Sequence, residues 1–262
     1  MADDVLRWAC FAGLPLDALV TTRAGGVSRG PYTSLNLGLH VGDDDTAVLE
    51  NRARAAAFVG LGPDDLVFAR QVHGREVAVV GPGDRGRGAR GEDDALDGVD
   101  VLVTSTPGLG LAVLAADCVP IVLYDPVAHL LGCVHAGWRG TVARAAAAGV
   151  EAMAAAGARP GDVLAAVGPA IEPDRYQVGP EVAEAATAAF GPGHGDLLRP
   201  DGTGRWLFDL VAANRRVLVD AGLAPGRVAV AGVGTGDDRF FSDRAVRPCG
   251  RQAAIAVLRD RD

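Results

Sequence analysis

The chain has no lysine, because all 25 of its basic residues are arginine. Schiff-base enzymes, pyridoxal-phosphate enzymes and P-loop nucleotidases each require a lysine, so the sequence excludes all three classes. Acidic residues outnumber basic ones by 33 to 25, and the net charge is −8. With no obvious arginine-rich face, this balance argues against a general nucleic-acid-binding protein.

Cysteines and long apolar runs are also scarce. The four cysteines show no secreted disulfide pattern, which favours a reducing compartment. The first residues, MADDVLRWACFAG, are acidic where a secretory signal would be basic. The longest uncharged apolar run, Val101 to Ala116, is interrupted by Pro107 and several glycines, so we expect no membrane span. The sequence therefore predicts a cytoplasmic protein without a membrane or nucleic-acid partner, and it leaves the oligomeric state open.

With 262 residues and 49% hydrophobic content, the chain can bury a substantial core. Strand-like and helical segments alternate without a strict βαβ period, which predicts an α/β or α+β fold. We expect one domain over residues 1–262, a sandwich with a mixed β-sheet flanked by helices. Predicted helices begin after Asp45 and Asp209, and a further alanine-rich helix covers Thr141 to Ala156. The charged, glycine-rich stretch from Gly81 to Asp97 is predicted to be an exposed or mobile loop.

The segment from Leu111 to Arg139 carries the clearest functional signal. It is predicted to form two short apolar strands, with Cys118 after the first and His135 near the end of the second. His73 follows another strand-like run. One Cys and two His from separate strands would give a divalent metal three ligands and leave a fourth position open, as in catalytic zinc sites. Each residue alone could equally be packed or at the surface, and Cys133 could compete as a ligand or fill space behind the site.

Several other polar residues are candidates for the site, and most of them also have a purely structural interpretation. Asp117 could act as a general acid/base or hold backbone amides. Arg139 could clamp phosphate or form a salt bridge. Arg23 precedes two glycines whose amides could help to bind an anion, although a plain tight turn explains the same pattern. Asn36 lies in a polar loop and could contact a bound substrate, and Tyr176 could stack on the ring of a substrate or belong to the core.

The motifs QVHG, ADCVP, HAGWRGTV, GPAIEPDRYQVG and RFFSDR occur in this order along the chain. Through them the sequence resembles a bacterial family first named multicopper polyphenol oxidases (laccases) and since reassigned as purine nucleoside phosphorylases with adenosine deaminase activity. The resemblance implies that His73, Cys118 and His135 bind the metal, with zinc as the cofactor and copper possible. It also implies phosphate-dependent cleavage of adenosine, inosine and methylthioadenosine to the free base and ribose 1-phosphate. Nucleoside and phosphate would be the small-molecule partners.

The chain departs from the family pattern outside the three ligands. Ala116 replaces a usual Thr, Asp174-Arg175 replaces a common Cys, and Gly234 replaces another Cys. The late SYRR…TGR pattern becomes Ser242-Asp243-Arg244…Cys249-Gly250-Arg251. These changes leave metal binding as expected, but substrate contacts from the C-terminal third stay open.

Three other functions remain as alternatives. A copper-binding polyphenol oxidase is one, although a trinuclear copper cluster needs many imidazoles and the chain has five His. A metal-free cysteine hydrolase, with Cys118 as nucleophile and His135 as base, could act on cell-wall precursors. Finally, a metal at this site could serve only to stabilise the fold.

Overall fold

The computed structural model describes residues 5–191 and 195–261. Within these residues the strands are β1 (Val5–Leu6), β2 (Leu16–Thr21), β3 (Leu66–Arg70), β4 (Val77–Val79), β5 (Leu96–Asp97), β6 (Val101–Thr104), β7 (Gly110–Ala115), β8 (Val119–Asp125), β9 (Leu130–Ala136), β10 (Leu164–Val167), β11 (Gln177–Val178), β12 (Leu198–Pro200), β13 (Trp206–Phe208), β14 (Val228–Val230) and β15 (Gln252–Leu258). The α-helices are α1 (Asp45–Ala57), α2 (Trp138–Val142), α3 (Ala145–Ala155), α4 (Pro180–Phe190) and α5 (Leu210–Asp220). In the part of the chain that is described, the helices are too short or too polar to cross a membrane.

The strands form two six-stranded sheets and one small sheet. Sheet one has the order β1-β2-β15-β7-β3-β5, and sheet two has the order β14-β10-β8-β9-β6-β4. Both are mixed: β3 pairs in parallel with β7, for example, whereas β8 and β9 are antiparallel. The small sheet has the order β11-β13-β12. This architecture confirms the predicted mixed α/β fold.

Apolar side chains fill three layers. Sheets one and two pack face to face, through residues such as Val20, Val113, Val122 and Leu131. Helix α1 covers the outer face of sheet one. Helices α3 and α5 cover the outer face of sheet two, where a Cβ on Gly149 would lie only 3.0 Å from Leu123 Cδ1. The small residues of α3 thus allow it to pack closely against the strands.

The topology brings three strand ends to one end of the sandwich. Strand β3 runs parallel to β7, so their carboxyl ends lie side by side. The chain then crosses from sheet one to sheet two in the turn between β7 and β8. Because β8 and β9 are antiparallel, the start of β8 lies beside the end of β9, where Pro120 pairs with His135. The segment from Leu111 to Arg139 therefore contains three strands, not the predicted two, because Asp125-Pro126 begins a second turn.

Two predicted helices have different boundaries in the structure. Asp44, not Asp45, caps α1, because its side chain accepts a hydrogen bond from the Ala47 amide at 3.0 Å. The predicted helix over Thr141 to Ala156 is divided into α2 and α3 by Arg144, which has a left-handed φ of 63°. Alanine content predicted one continuous helix, but the chain turns so that α2 stays near the Gly74 loop while α3 follows sheet two.

The prediction of an exposed or mobile loop from Gly81 to Asp97 is wrong in part. Ala89 is buried, and the carbonyls of Gly88 and Ala89 accept hydrogen bonds from Arg52 on α1 at 2.6 and 2.9 Å. Composition could not reveal this partner, which lies 36 residues away. The segment forms one wall of the cavity described below.

Candidate metal centre

Three potential metal ligands meet where the strands β3, β7 and β9 end. His73 lies in the loop after β3 with a left-handed φ of 62°, and Cys118 lies in the turn between β7 and β8. His135 is the penultimate residue of β9 and is 3% exposed. Their ligand atoms all lie within 4.8 Å of one another. The two imidazole rings are edge to face, with centroids 4.9 Å apart.

This donor set fits one divalent cation. Among the described residues, the group contains two imidazoles and one thiol, with no fourth Cys, His or carboxylate ligand. Three protein donors and one free position are typical of catalytic zinc sites, and the same nitrogen and sulfur donors also bind copper. Cys133 is not part of the group, because its side chain is fully buried between the two sheets.

The charge of the donor atoms also suits a metal. Burial alone would raise the pKa of the Cys118 thiol, but the charges and hydrogen bonds of His135 and His73 lower that pKa to about 6. The sulfur is therefore a thiolate at neutral pH, the form that binds metal ions. Burial lowers the pKa of His135, but this effect is outweighed by Cys118 and Asp100, which raise it.

Asp100 orients two of the three ligands. Its Oδ1 lies 2.8 Å from His135 Nδ1 and accepts the His73 amide at 3.0 Å. Its Oδ2 accepts the amides of Val72 and Gly74 at 3.1 and 2.7 Å. The carboxylate thus holds the His73 loop and leaves His135 Nε2 to face the site, the arrangement expected of a carboxylate–histidine–metal triad. Burial would raise the pKa of Asp100, but His135 and these amides lower it.

Gly137 is required by the close approach of the backbone to the ligands. A Cβ at this position would lie 2.8 Å from His73 Cδ2 and 2.9 Å from Cys118 Sγ. Both distances are shorter than van der Waals contact, so any side chain here would displace a ligand. The HAGW motif therefore supplies the ligand His135 and also the glycine that leaves space for the other two ligands, His73 and Cys118.

A cavity of about 650 Å³ opens over the ligands. This volume lies within the range of about 300–1,000 Å³ that is usual for small-molecule sites. The lining mixes apolar and charged groups, and it includes Phe68, Trp138, Tyr176 and residues of the 81–97 segment. Six arginines and three acidic residues line the cavity: Arg52, Arg70, Arg139, Arg244, Arg247, Arg251, Glu92, Asp117 and Asp243. The cavity is therefore rich in positive charge, although the chain as a whole is acidic.

Asp117 and Arg139, the predicted catalytic residues, both line this cavity. Asp117 is 8% exposed and has both oxygens engaged: Oδ1 accepts from Thr235 Oγ1 at 2.5 Å and Oδ2 from the Arg244 amide at 2.6 Å. The Arg139 guanidinium lies 4.3 Å from the centre of the Trp138 ring and 3.5 Å from Glu181 Oε1, mostly exposed. Asp117 thus braces the wall beside Cys118, and Arg139 lies at the rim.

The structure does not bring Arg23 and Asn36, the predicted substrate-binding residues, into the cavity. Arg23 donates to the Thr33 carbonyl at 2.9 Å and packs over the Phe241 ring. Asn36 is fully buried, and its Oδ1 accepts the amide of Arg251 at 2.9 Å. Each supports a residue behind or within the wall. Both side chains bond to other groups of the protein, and their role in substrate binding stays a prediction.

Sequence reasoning did not identify Asp100, Arg244 or Gly137. A signal for Asp100 exists, because a carboxylate directly precedes the fully buried strand β6 in the run VDVLVT. An unpaired charge is rare at such a position, so a partner such as histidine could have been expected. For Arg244 the sequence offers no comparable signal, since it is one arginine among 25.

Comparisons with known proteins find one family model and several similar proteins. A family model described as multi-copper polyphenol oxidoreductase laccase matches residues 17–259. A purine nucleoside phosphorylase of Deinococcus radiodurans is 43% identical over 244 residues, covering 92% of this chain and 89% of that protein. Adenosine deaminase RL5, from an unknown prokaryotic organism, is 43% identical over 213 residues, covering 81% of each protein. The crystal structure of YlmD from Geobacillus stearothermophilus superposes with a TM-score of 0.94 at 38% identity, covering 99% of this chain and 98% of that one.

Proposed function

Because the chain belongs to the multi-copper polyphenol oxidoreductase laccase family, whose members include proteins named purine nucleoside phosphorylase and adenosine deaminase, we propose that it is a zinc-dependent purine nucleoside phosphorylase. Its substrates would be adenosine, inosine and methylthioadenosine, cleaved with phosphate to the free base and ribose 1-phosphate. Adenosine deamination would be a side activity. The observation that carries this proposal is the group of His73, Cys118 and His135 at the base of a cavity of about 650 Å³.

In phosphorolysis, a phosphate oxygen forms a bond to the anomeric carbon of the ribose while the bond from that carbon to the purine nitrogen breaks. The electron pair of the broken bond leaves with the purine, which takes up a proton. A bound zinc ion would supply Lewis acidity at its open position. Asp117 would act as the general acid/base for a purine nitrogen, and Arg139 would bind phosphate. Arg23 and Asn36 would act indirectly, by supporting the wall.

Two further properties are part of the proposal. Residues 1–262 would act as one domain, since β2 and β15, from opposite ends of the chain, are neighbours in sheet one. The protein would work in the cytoplasm, because all four cysteines are free thiols and a reducing compartment preserves them.

The test incubates the purified protein with inosine, with and without phosphate, and follows ribose 1-phosphate. Product should appear only with phosphate, stop after chelation and return with zinc. Cys118→Ser should abolish turnover and metal binding, whereas Cys10→Ser, a half-buried thiol outside the cavity, should leave both unchanged. Ammonia released from adenosine without phosphate would show the deaminase activity. Absence of ribose 1-phosphate from the zinc-loaded protein with every proposed nucleoside would contradict phosphorolysis.

One observation favours a second candidate, a cysteine hydrolase. Cys118, His135 and Asp100 are linked by hydrogen bonds in the order thiolate, imidazole and carboxylate, as in a nucleophile–base–orienting triad. Such an enzyme would need no metal. Activity that persists after complete chelation, and that an alkylating reagent abolishes, would favour this function over a zinc-dependent one.

A further inference from the structure

Most arginines of the cavity are already bound to other groups of the protein. Arg247 and Arg251 both contact Asp243, with closest distances of 2.6 and 3.3 Å. Arg52 donates to backbone carbonyls, and Arg70 pairs with Asp97 at 3.0 Å. Their charge is therefore largely neutralised or used to hold the wall. Two cavity arginines remain, Arg139 and Arg244, and the charges of both act on Tyr176.

Arg244 is held next to the metal ligands. Its amide donates to Asp117 Oδ2 at 2.6 Å, and Asp117 directly precedes the ligand Cys118. The side chain donates once, from Nη1 to the Gln177 carbonyl at 2.9 Å, and its guanidinium lies 5.1 Å from the centre of the Tyr176 ring. Within residues 5–191 and 195–261, its Nε and Nη2 have no partner. The guanidinium is thus fixed in place with donors to spare.

Tyr176 supplies a hydroxyl in the same region. Its ring packs against Phe208, with centroids 6.4 Å apart, and against Arg244. In the described part of the chain, the hydroxyl has no hydrogen-bond partner, although the residue is only partly exposed and lines the cavity. Burial, together with the nearby charges of Cys118 and Asp117, raises its pKa to about 12, against the opposing effect of Arg244 and Arg139. The hydroxyl is therefore protonated at neutral pH and available as a donor.

Arg139 is the third group of this region, because its charge, like that of Arg244, acts on the Tyr176 hydroxyl. It lies two residues after Gly137, where a Cβ would be only 2.8 Å from His73 Cδ2 and 2.9 Å from Cys118 Sγ, and its guanidinium lies 4.3 Å from the centre of the Trp138 ring. Its contact with Glu181 is a long, exposed ion pair of 3.5 Å, which contributes little to stability. Arg139 can therefore leave Glu181 to bind another anion.

We propose that Arg244, Arg139 and the Tyr176 hydroxyl form an oxyanion subsite beside the metal centre, and that this subsite binds the inorganic phosphate consumed in the reaction. Guanidinium groups match the geometry of phosphate oxygens, and charge-assisted hydrogen bonds of this kind are the stronger ones. The identity of the anion rests on the proposed phosphorolysis. The subsite itself rests on the unused donors of Arg244 and Tyr176 beside the ligand Cys118.

The test measures binding of inorganic phosphate to the zinc-loaded full chain by calorimetry, without nucleoside, for the wild type, Arg244→Gln and Tyr176→Phe. We expect the Kd for phosphate to rise at least tenfold in Arg244→Gln and about threefold or more in Tyr176→Phe. Steady-state kinetics with inosine should show a larger rise in the KM for phosphate than in the KM for inosine. The control is Arg247→Gln, which removes a cavity arginine that Asp243 already binds and should leave the phosphate Kd within twofold.

The outcomes separate the two proposals. If wild-type protein binds no phosphate, if Arg244→Gln binds it as tightly as wild type, or if Arg247→Gln weakens binding equally, the subsite is refuted. If phosphate binding depends on Arg244 but no nucleoside is cleaved, the subsite stands and the proposed phosphorolysis fails. Tyr176→Phe removes one oxygen only, so it also tests the subsite if Arg244→Gln does not fold.

Discussion

Replacing Asp100 by Asn should weaken metal binding through two ligands at once. The carboxylate accepts hydrogen bonds from His135 Nδ1 and from the amides of Val72, His73 and Gly74. Asparagine has nearly the same shape but only one acceptor oxygen. Its NH₂ group must therefore face either two backbone amides or the side that holds His135. In the second orientation the imidazole proton moves to Nε2, the nitrogen that would bind the metal.

The expected magnitude follows from these contacts. Losing an outer-shell carboxylate that orients a metal-bound histidine raises the Kd for metal by about 10- to 100-fold, which corresponds to roughly 1.4–2.7 kcal/mol. Hydrogen bonds to charged groups contribute about 1.5–3 kcal/mol each. Since about two of the four bonds to Asp100 would be lost, the metal-free protein should lose about 3–6 kcal/mol of unfolding free energy.

The assay is a zinc competition titration against a chromophoric chelator, together with urea unfolding of the metal-free protein. Asp125→Asn is the matched control. Asp125 is also buried and accepts three backbone amides, from Val127, Ala128 and Arg159, but it contacts no ligand. It should lose similar stability and keep wild-type zinc affinity. If Asp100→Asn holds zinc as tightly as the control does, Asp100 has no role beyond folding and the reasoning is refuted.

Three further substitutions test how the site and its walls are built. Gly137→Ala places a methyl group 2.9 Å from Cys118 Sγ, so zinc affinity in the same titration should fall more than tenfold, and an unchanged Kd would contradict the tight fit. Arg52→Met leaves three backbone carbonyls without their charged donor and should lower the unfolding free energy by about 3 kcal/mol. Amide hydrogen exchange in the 81–97 segment should become faster. Exchange protection equal to wild type would show that Arg52 does not hold that wall. Gly234→Ala would bring a Cβ 2.4 Å from Glu172 Cδ and should destabilise the protein by about 1–3 kcal/mol in urea unfolding; a neutral result would mean that the Glu172 side chain moves aside without loss.

The Gly234 position shows how a departure from the family pattern is accommodated. The family resemblance leads us to expect cysteine at this position, and the glycine found there by itself predicts nothing about the fold. In the structure both carboxylate oxygens of Glu172 accept the Gly236 amide, at 3.0 and 3.1 Å, and the side chain occupies the space beside Gly234. Glu172 therefore fills the space that a side chain at position 234 would need, next to Thr235, which donates to Asp117.

Local sequence was sufficient to locate most strands and helices and the candidate ligands. Hydrophobic runs, turns and caps act over a few residues, so strands such as β15 and the helix capped by Asp209 could be predicted from local chemistry. His73, Cys118 and His135 were recognisable because polar donors at strand ends have no role in core packing. Their convergence also needs the parallel pairing of β3 with β7 and the crossing from β7 to β8, which the sequence did not specify.

Folding assigns different roles to residues of the same type. Asp100 lies 35 residues from His135, and no local pattern connects them. Arg52 braces a wall, Arg247 is neutralised by Asp243, and Arg244 keeps free donors, although all three are the same residue type. The role of a charged side chain depends on the partners that folding brings within hydrogen-bond distance, and such partners are mostly distant in the chain.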